Sequence, residues 1–377
     1  MTTVKRGEWL DHALSNLDCS TDEAIGMPSA SYSSPEFYEQ EQRTVFHNRW
    51  CSIGFANDVP KPGDIHPVDF LGQALIIVHD EDNQIRVFHN FCPHRGTQLV
   101  KEPCNKKLVV CPYHAWSFEL NGSLRQAPGF KSCNKHKFGL NSVRTTIWND
   151  VVFINFSGDP PNLETVISPL DSRWKEHDFS ILQPSTSLIY EFSANWKLIV
   201  ENFLECYHVP CVHPRLATYS KFVDRYPILF ADEFIGQGSN AYKPKTIKAE
   251  LPRWPHLSGD VEFQAEYVMF FPNTLIGRMP DHVFIWTLNP TSPHETTERL
   301  QFYFIGDESM SDHLQSDREA TLQRWKEVND EDYDIVQRLH AGARSQYFTG
   351  ARFAATHEET IHRFHKLTLN ETNEIPV

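Results

Sequence analysis

Two short segments of this 377-residue chain each pair a thiol with an imidazole. Cys92-Pro93-His94-Arg95-Gly96 is followed, with sixteen residues between His94 and Cys111, by Cys111-Pro112-Tyr113-His114-Ala115-Trp116. Brought together, the two loops offer two thiolates and two imidazole nitrogens. That set suits a [2Fe–2S] centre with two Cys on one iron and two His on the other. It also suits tetrahedral zinc.

A second group lies beyond residue 190. The run Asn195–His208 reads as a helix, with Trp196, Ile199, Val200, Phe203, Leu204 and Tyr207 on one face at ~100° per residue. Glu201, Glu205 and His208 share the other face, Pro210 ends the helix, and His213-Pro214 follows. Two histidines so placed can reach one metal. A carboxylate is offered further on. Leu322, Trp325, Val328, Ile335, Val336 and Leu339 form an apolar stripe with Asp332 at its middle, while Asp330, Glu331 and Asp334 point elsewhere. A carboxylate in an apolar face is costly unless paired or bound to a metal. His208, His213 and Asp332 then compose a 2-His-1-carboxylate facial triad, leaving open positions for O2 on non-haem Fe(II).

The elements that must position these residues fall into three stretches. Residues 1–48 read as a polar, helical start that packs on the last domain, with Ser34 as cap and Pro35 in the first turn. Residues 49–157 alternate short apolar runs with Pro, Gly, Asn and Asp, the texture of a small all-β module. Residues 158–377 mix helices (193–208 and 317–343) with strands (188–192, 263–271, 283–289 and 300–306), an α+β domain built on an antiparallel sheet.

The segments around Cys92 and Cys111 resemble the Rieske signature. With the later His-His-Asp set, nearly the whole chain resembles the α subunit of a Rieske non-haem iron oxygenase, whose motif of Asp or Glu, two residues, His, four residues, His is matched by Glu205, His208 and His213. The resemblance implies a Rieske cluster on Cys92, His94, Cys111 and His114 and a mononuclear Fe(II) on His208, His213 and Asp332. It implies a helix-grip, START-like catalytic domain, and electrons from NAD(P)H through a separate reductase. It also implies a homotrimeric ring in which Glu205 bridges His114 of one subunit to His208 of the next. The string Glu201-Asn202-Phe203-Leu204-Glu205-Cys206-Tyr207-His208 and the tail from Gly350 to His365 resemble the subgroup acting on quaternary ammonium compounds, the carnitine and glycine betaine monooxygenases. That implies O2-dependent hydroxylation of a carbon next to nitrogen, with C–N cleavage.

A quaternary ammonium group donates no conventional hydrogen bond and is held by aromatic faces. Candidates are Phe203, Tyr207, Phe271 and Trp286, with Tyr267, Phe270 and Phe284. A substrate carboxylate needs a cation, and position in the sequence singles out no Arg or Lys. Three rival readings stand beside this one: a Rieske oxygenase acting on an aromatic ring or other apolar substrate, a non-catalytic Rieske electron carrier, and a structural zinc protein acting as a binding module.

Composition narrows the remainder. A formal charge of −14 argues against binding a nucleic-acid backbone. The longest apolar runs reach five to seven residues, against ~20 for a membrane span, and the start has no signal-peptide core. The reading is a cytoplasmic enzyme. Its eight cysteines are not expected to form a disulfide framework. Cys206 and Cys211 read as free thiols, Cys104 and Cys133 as no second metal site, and His340, His357, His362 and His365 as surface or packing residues.

Overall fold

The computed structural model describes residues 6–130, 138–245 and 249–373, so Cys133 lies outside the described residues. The chain divides into two compact units, His47–Leu163 and a second formed by the residues up to Phe46 together with Glu164 onward. Helices α1 (Arg6–Leu17), α2 (Ser29–Ser33) and α3 (Pro35–Glu41) open the chain. Ser34 caps α3 by accepting from Phe37 N at 3.1 Å, and Pro35 takes the first helical position, where its missing N–H costs nothing.

The His47–Leu163 unit is all β. Its main sheet is antiparallel and seven-stranded, in the order β1 (Cys51–Phe55), β10 (Val151–Asn155), β9 (Ser142–Trp148), β4 (Ile85–His89), β3 (Gln73–His79), β2 (Asp64–Phe70) and β5 (Cys104–Asn105). Strands β6 (Val109–Val110), β7 (Ser117–Phe118) and β8 (Leu124–Gln126) form a second, small sheet. β2 and β9 escape an apolar-run search because both are largely polar and half-exposed.

The other unit holds α4 (Leu163–Arg173), β11 (Leu182–Phe192), α5 (Trp196–Leu204), α6 (Val209–Val212), β12 (Arg225–Phe230), β13 (Phe234–Ser239), β14 (Ala265–Phe270), β15 (Thr274–Arg278), β16 (His282–Ser292), β17 (Glu295–Ile305), α7 (Gln315–Ala343) and α8 (Glu359–Asn373). Strands β12 to β17 run as one antiparallel meander, and β11 joins it beside β17. Helix α5 packs against β13, β14 and β16 and against α7 and α8. Gly277 on β15 faces Phe284 on β16, and a Cβ there would lie 2.1 Å from that ring, so only glycine lets Phe284 lie flat across the sheet. Among the described residues no helix is long and apolar enough to cross a membrane.

Helix α5 is shorter than its apolar periodicity predicts. It starts at the Asn195 cap but ends at Leu204, and Glu205 is extended, with φ −122° and ψ 164°. The cause is tertiary. Gln237 Nε2 on β13 donates to Phe203 O at 2.9 Å and to Glu205 O at 2.6 Å, and Thr360 Oγ1 on α8 donates to Leu204 O at 2.8 Å. The end carbonyls thus have partners that a continuing helix would have to displace. Glu205 and His208 therefore do not share a helix face; they flank a break. Glu201 also departs from the expected stripe, since its carboxylate accepts from Tyr32 Oη at 2.8 Å and lies 3.0 Å from His365 Nε2.

Candidate functional site

The two Cys-His loops fold alike. Cys92 O accepts from Gly96 N at 2.8 Å and Cys111 O from Ala115 N at 3.1 Å. Gly96 and Ala115, each four residues past its cysteine, are both left-handed, with φ of 73° and 56°. Each turn sinks its sulfur and leaves its imidazole outside. Cys92 and Cys111 are buried in a core with Ile76, Phe88, Trp116 and Phe118, while His94 is half-buried and His114 exposed. The two imidazole rings lie 4.8 Å apart, and Trp116 stacks on His94 at 5.1 Å. Burial raises the Cys92 thiol above its ordinary range, and backbone and side-chain hydrogen bonds bring Cys111 below it despite its burial.

Among the described residues, only His208, His213 and Asp332 bring three ligand atoms within 4.8 Å of one another. Two buried sulfurs with two imidazoles outside them fit a two-iron cluster that has Cys on one iron and His on the other.

The second site grows out of the break after α5. The Glu205 carboxylate accepts from Tyr207 N, from His208 N at 3.1 Å and from His208 Nδ1, which fixes the ring with Nε2 turned to the pocket. Pro210 opens the short α6, and His213 follows it. Asp332 on α7 lies 2.9 Å from His213 Nε2 and 3.8 Å from His208 Nε2, and Asn202 Nδ2 on α5 donates to it at 3.1 Å. The far nitrogen of His213 donates to Glu331 at 2.7 Å. Glu331 thus turns to the site, contrary to the expectation that it points elsewhere. Both histidines carry a carboxylate behind the ring, the arrangement that orients metal-bound imidazoles. Burial draws the His213 imidazole down, but the hydrogen bonds and charges of Asp332 and Glu331 outweigh it and leave it above its ordinary range. Nitrogen, nitrogen and carboxylate oxygen on one side of an open pocket fit a ferrous ion.

That pocket is lined by Phe203, Tyr267, Phe284, Trp286 and Trp325, with Gln237 and Arg225 at its wall. Phe203 and Trp286 lie 5.3 Å apart, and Phe284 and Trp325 4.4 Å. The pocket is open to one side, and the space between its walls is about 40 Å³, room for a metal ion and a few waters. Three of the sequence candidates lie elsewhere. Tyr207 is 57% exposed and stacks on His357. Phe271 is buried against Phe364, and Phe270 against Phe234. Asn202, Gln237, Arg225 and Glu331 were missed or set aside, and no sequence period marks them, because each acts across elements.

The ring-hydroxylating alpha subunit (catalytic domain) family matches residues 179–370, and the Rieske [2Fe-2S] domain matches residues 49–143. The chain belongs to the ring-hydroxylating alpha-subunit family. It is 27% identical over 339 residues to the carnitine monooxygenase oxygenase subunit of Acinetobacter pittii, covering 87% of this chain and 88% of that protein. It is 23% identical over 382 residues to the glycine betaine monooxygenase oxygenase subunit of Pseudomonas aeruginosa, covering 92% and 88%. A quaternary ammonium Rieske monooxygenase in complex with L-carnitine shares the fold at a TM-score of 0.80 and 22% identity, covering 96% of this chain and 98% of that one. The family and the fold read from the sequence are thereby established, an α+β enzyme with a Rieske [2Fe–2S] domain and a mononuclear-iron domain. A bare electron carrier has no use for the catalytic domain, so that rival reading falls.

Proposed function

We propose that this chain is the oxygenase component of a mono-oxygenase that hydroxylates a carbon next to nitrogen in a quaternary ammonium compound and so cleaves a C–N bond. The observation that carries this reading is the aromatic wall of Phe203, Phe284, Trp286 and Trp325 beside the His208, His213 and Asp332 donor set. Aromatic faces attract a trimethylammonium group, which no hydrogen bond can hold. The carnitine and glycine betaine monooxygenases among its relatives support the same class.

In this reading Cys92, His94, Cys111 and His114 hold the cluster, and His208, His213 and Asp332 hold the iron. The iron, when bound, supplies activation of O2 with two electrons from NAD(P)H delivered by a separate reductase. The chain's own residues set the geometry. Glu205 aims His208, Glu331 aims His213, and Asn202 fixes Asp332. The aromatic rings exclude water and hold the target carbon near the open positions. In the balance, one C–H bond, O2, two electrons and two protons give C–OH and water. The carbinol next to the ammonium then breaks its C–N bond, leaving a tertiary amine, an aldehyde and a proton. Assembly as a cytoplasmic homotrimer, with Glu205 linking His208 to His114 of a neighbouring subunit, belongs to the same proposal.

The test is O2 uptake by iron-loaded, reduced protein with a surrogate reductase, against carnitine, glycine betaine, choline, proline betaine and several arenes. Turnover of a quaternary amine, with amine and aldehyde formed in equal amounts, is expected. Turnover of arenes alone would refute the reading.

A further inference from the structure

Arg225, the first residue of β12, lines the iron pocket. Its Nη1 donates to Gln237 Oε1 at 3.2 Å, and its guanidinium carbon lies 5.1 Å from the centre of the Tyr267 ring. Its Nε and Nη2 are buried and have no hydrogen-bond partner among the described residues. Among the described residues no carboxylate pairs with it. Gln237 cannot neutralise it, and that amide is itself tied to Phe203 O and Glu205 O. The guanidinium is thus held in place while one whole edge stays unanswered.

That edge is the one that grips carboxylates side-on. The same chain shows the pairing elsewhere: Arg173 donates through Nε and Nη2 to the two oxygens of Glu266 at 2.9 and 2.8 Å. At Arg225 the same two donors are buried on the wall of the pocket, and the neighbouring Tyr267 hydroxyl, itself buried and outside hydrogen-bond geometry, brings no negative charge to them. Buried, unpaired charge is expensive, and a binding site is where a protein keeps it, because the ligand completes it. Trp286 Nε1, on the same pocket, is also buried and unpartnered.

We infer that Arg225 binds a carboxylate of the substrate, so that the ligand of this pocket is a zwitterion with an ammonium at one end and a carboxylate at the other. The inference rests on the quaternary-ammonium reading above and sharpens it. A lone cation such as choline would bring a second positive charge beside Arg225 and leave its edge empty. A betaine brings the missing acceptor. Arg225 also covers one face of Tyr267, so the ammonium end falls to Phe203, Phe284, Trp286 and Trp325.

The test crosses head with tail. Anaerobic calorimetry on the iron-loaded, cluster-containing protein compares glycine betaine with its amide, and each with the tert-butyl analogue in which carbon replaces nitrogen. The set is repeated at the length of γ-butyrobetaine. The expected result at the preferred length is that carboxylate binds about 100-fold more tightly than amide, the scale of losing one partner of a buried charged pair. Arg225→Gln should shrink that preference to within a few-fold, and Arg225→Lys should keep part of it. Should Arg225→Gln fail to fold, the wild-type preference and the Lys variant still decide. Equal binding of carboxylate and amide, or a preference that survives Arg225→Gln, overturns the role of Arg225. Equal binding of ammonium and tert-butyl heads overturns the quaternary-ammonium reading instead and leaves Arg225 standing. No binding by any of them overturns both.

Discussion

Glu331 offers the sharpest check on the candidate iron site, because sequence reasoning turned it away and the structure turned it in. Its carboxylate accepts the Nδ1 proton of His213 at 2.7 Å while Asp332 meets Nε2 at 2.9 Å. Removing Glu331 frees the ring to rotate and to choose the wrong tautomer, and it makes Nε2 a weaker donor to metal. Outer partners of this kind are worth 10–100-fold in metal affinity, about 1.4–2.8 kcal/mol. The Glu331 side chain is 39% exposed, so solvent screens its charge and the effect belongs at the lower end. Glu331→Gln, which keeps an acceptor, should weaken ferrous iron about 5-fold, and Glu331→Ala about 10–30-fold. The assay is competition with a calibrated chelator under anaerobic conditions, with cluster absorbance recorded in parallel as a check on folding. Asp334→Asn is the control, since Asp334 pairs with Arg338 on the exposed side of α7, away from the candidate ligands. Unchanged iron affinity in Glu331→Ala would show that the His213–Glu331 bond does not orient a metal ligand.

Three further outcomes are expected. Glu205→Gln removes the charge that holds His208 Nδ1 and two backbone N–H groups, so ferrous iron should bind more weakly and the turnover of iron-saturated protein should fall about 10-fold or more with the cluster intact, measured by iron titration beside O2 uptake. Glu41→Gln strands Lys197, whose Nζ lies 2.6 Å from Glu41 and is fully buried. It should destabilise the protein by about 3–5 kcal/mol, and adding Lys197→Met should recover most of that in thermal unfolding. His177 is lowered to about 4 by burial and by Arg278, which donates to it at 2.8 Å. Unfolded, it takes a proton near pH 6.5, so its part of the stability is complete above that pH and is lost as pH falls toward 4, by about 1–2 kcal/mol after discounting for its partial exposure. Melting curves of His177→Gln should show a shallower fall over that window.

Much of the candidate site was legible because its chemistry is written in short spacings. Cys92, His94, Cys111 and His114 declare themselves in two tight loops, and Glu205, His208 and His213 within nine residues. Asp332 was legible for a different reason, since a carboxylate in an apolar helical stripe needs a partner. The aromatic wall was half legible. Phe203 and Trp286 reach the pocket, whereas Tyr207 and Phe271 do not, because the chain turns after Leu204 and at the end of β14 in ways no period records.

The sequence by itself determined the class of metal chemistry, the two-part organisation and the identity of the candidate ligands, because donor atoms and apolar periods are local properties. Only the tertiary structure decided how those ligands are aimed. Helix α5 stops at Leu204 because Gln237 and Thr360, from a strand and a helix distant in the chain, satisfy its last carbonyls. That stop frees Glu205 to fold back on His208. The same Gln237 holds Arg225 by one nitrogen and leaves its carboxylate-binding edge open. Hydrogen bonds between residues so far apart cost nothing to miss in a sequence. They are settled only when β13, α8 and α5 pack together and each buried polar group must find a partner.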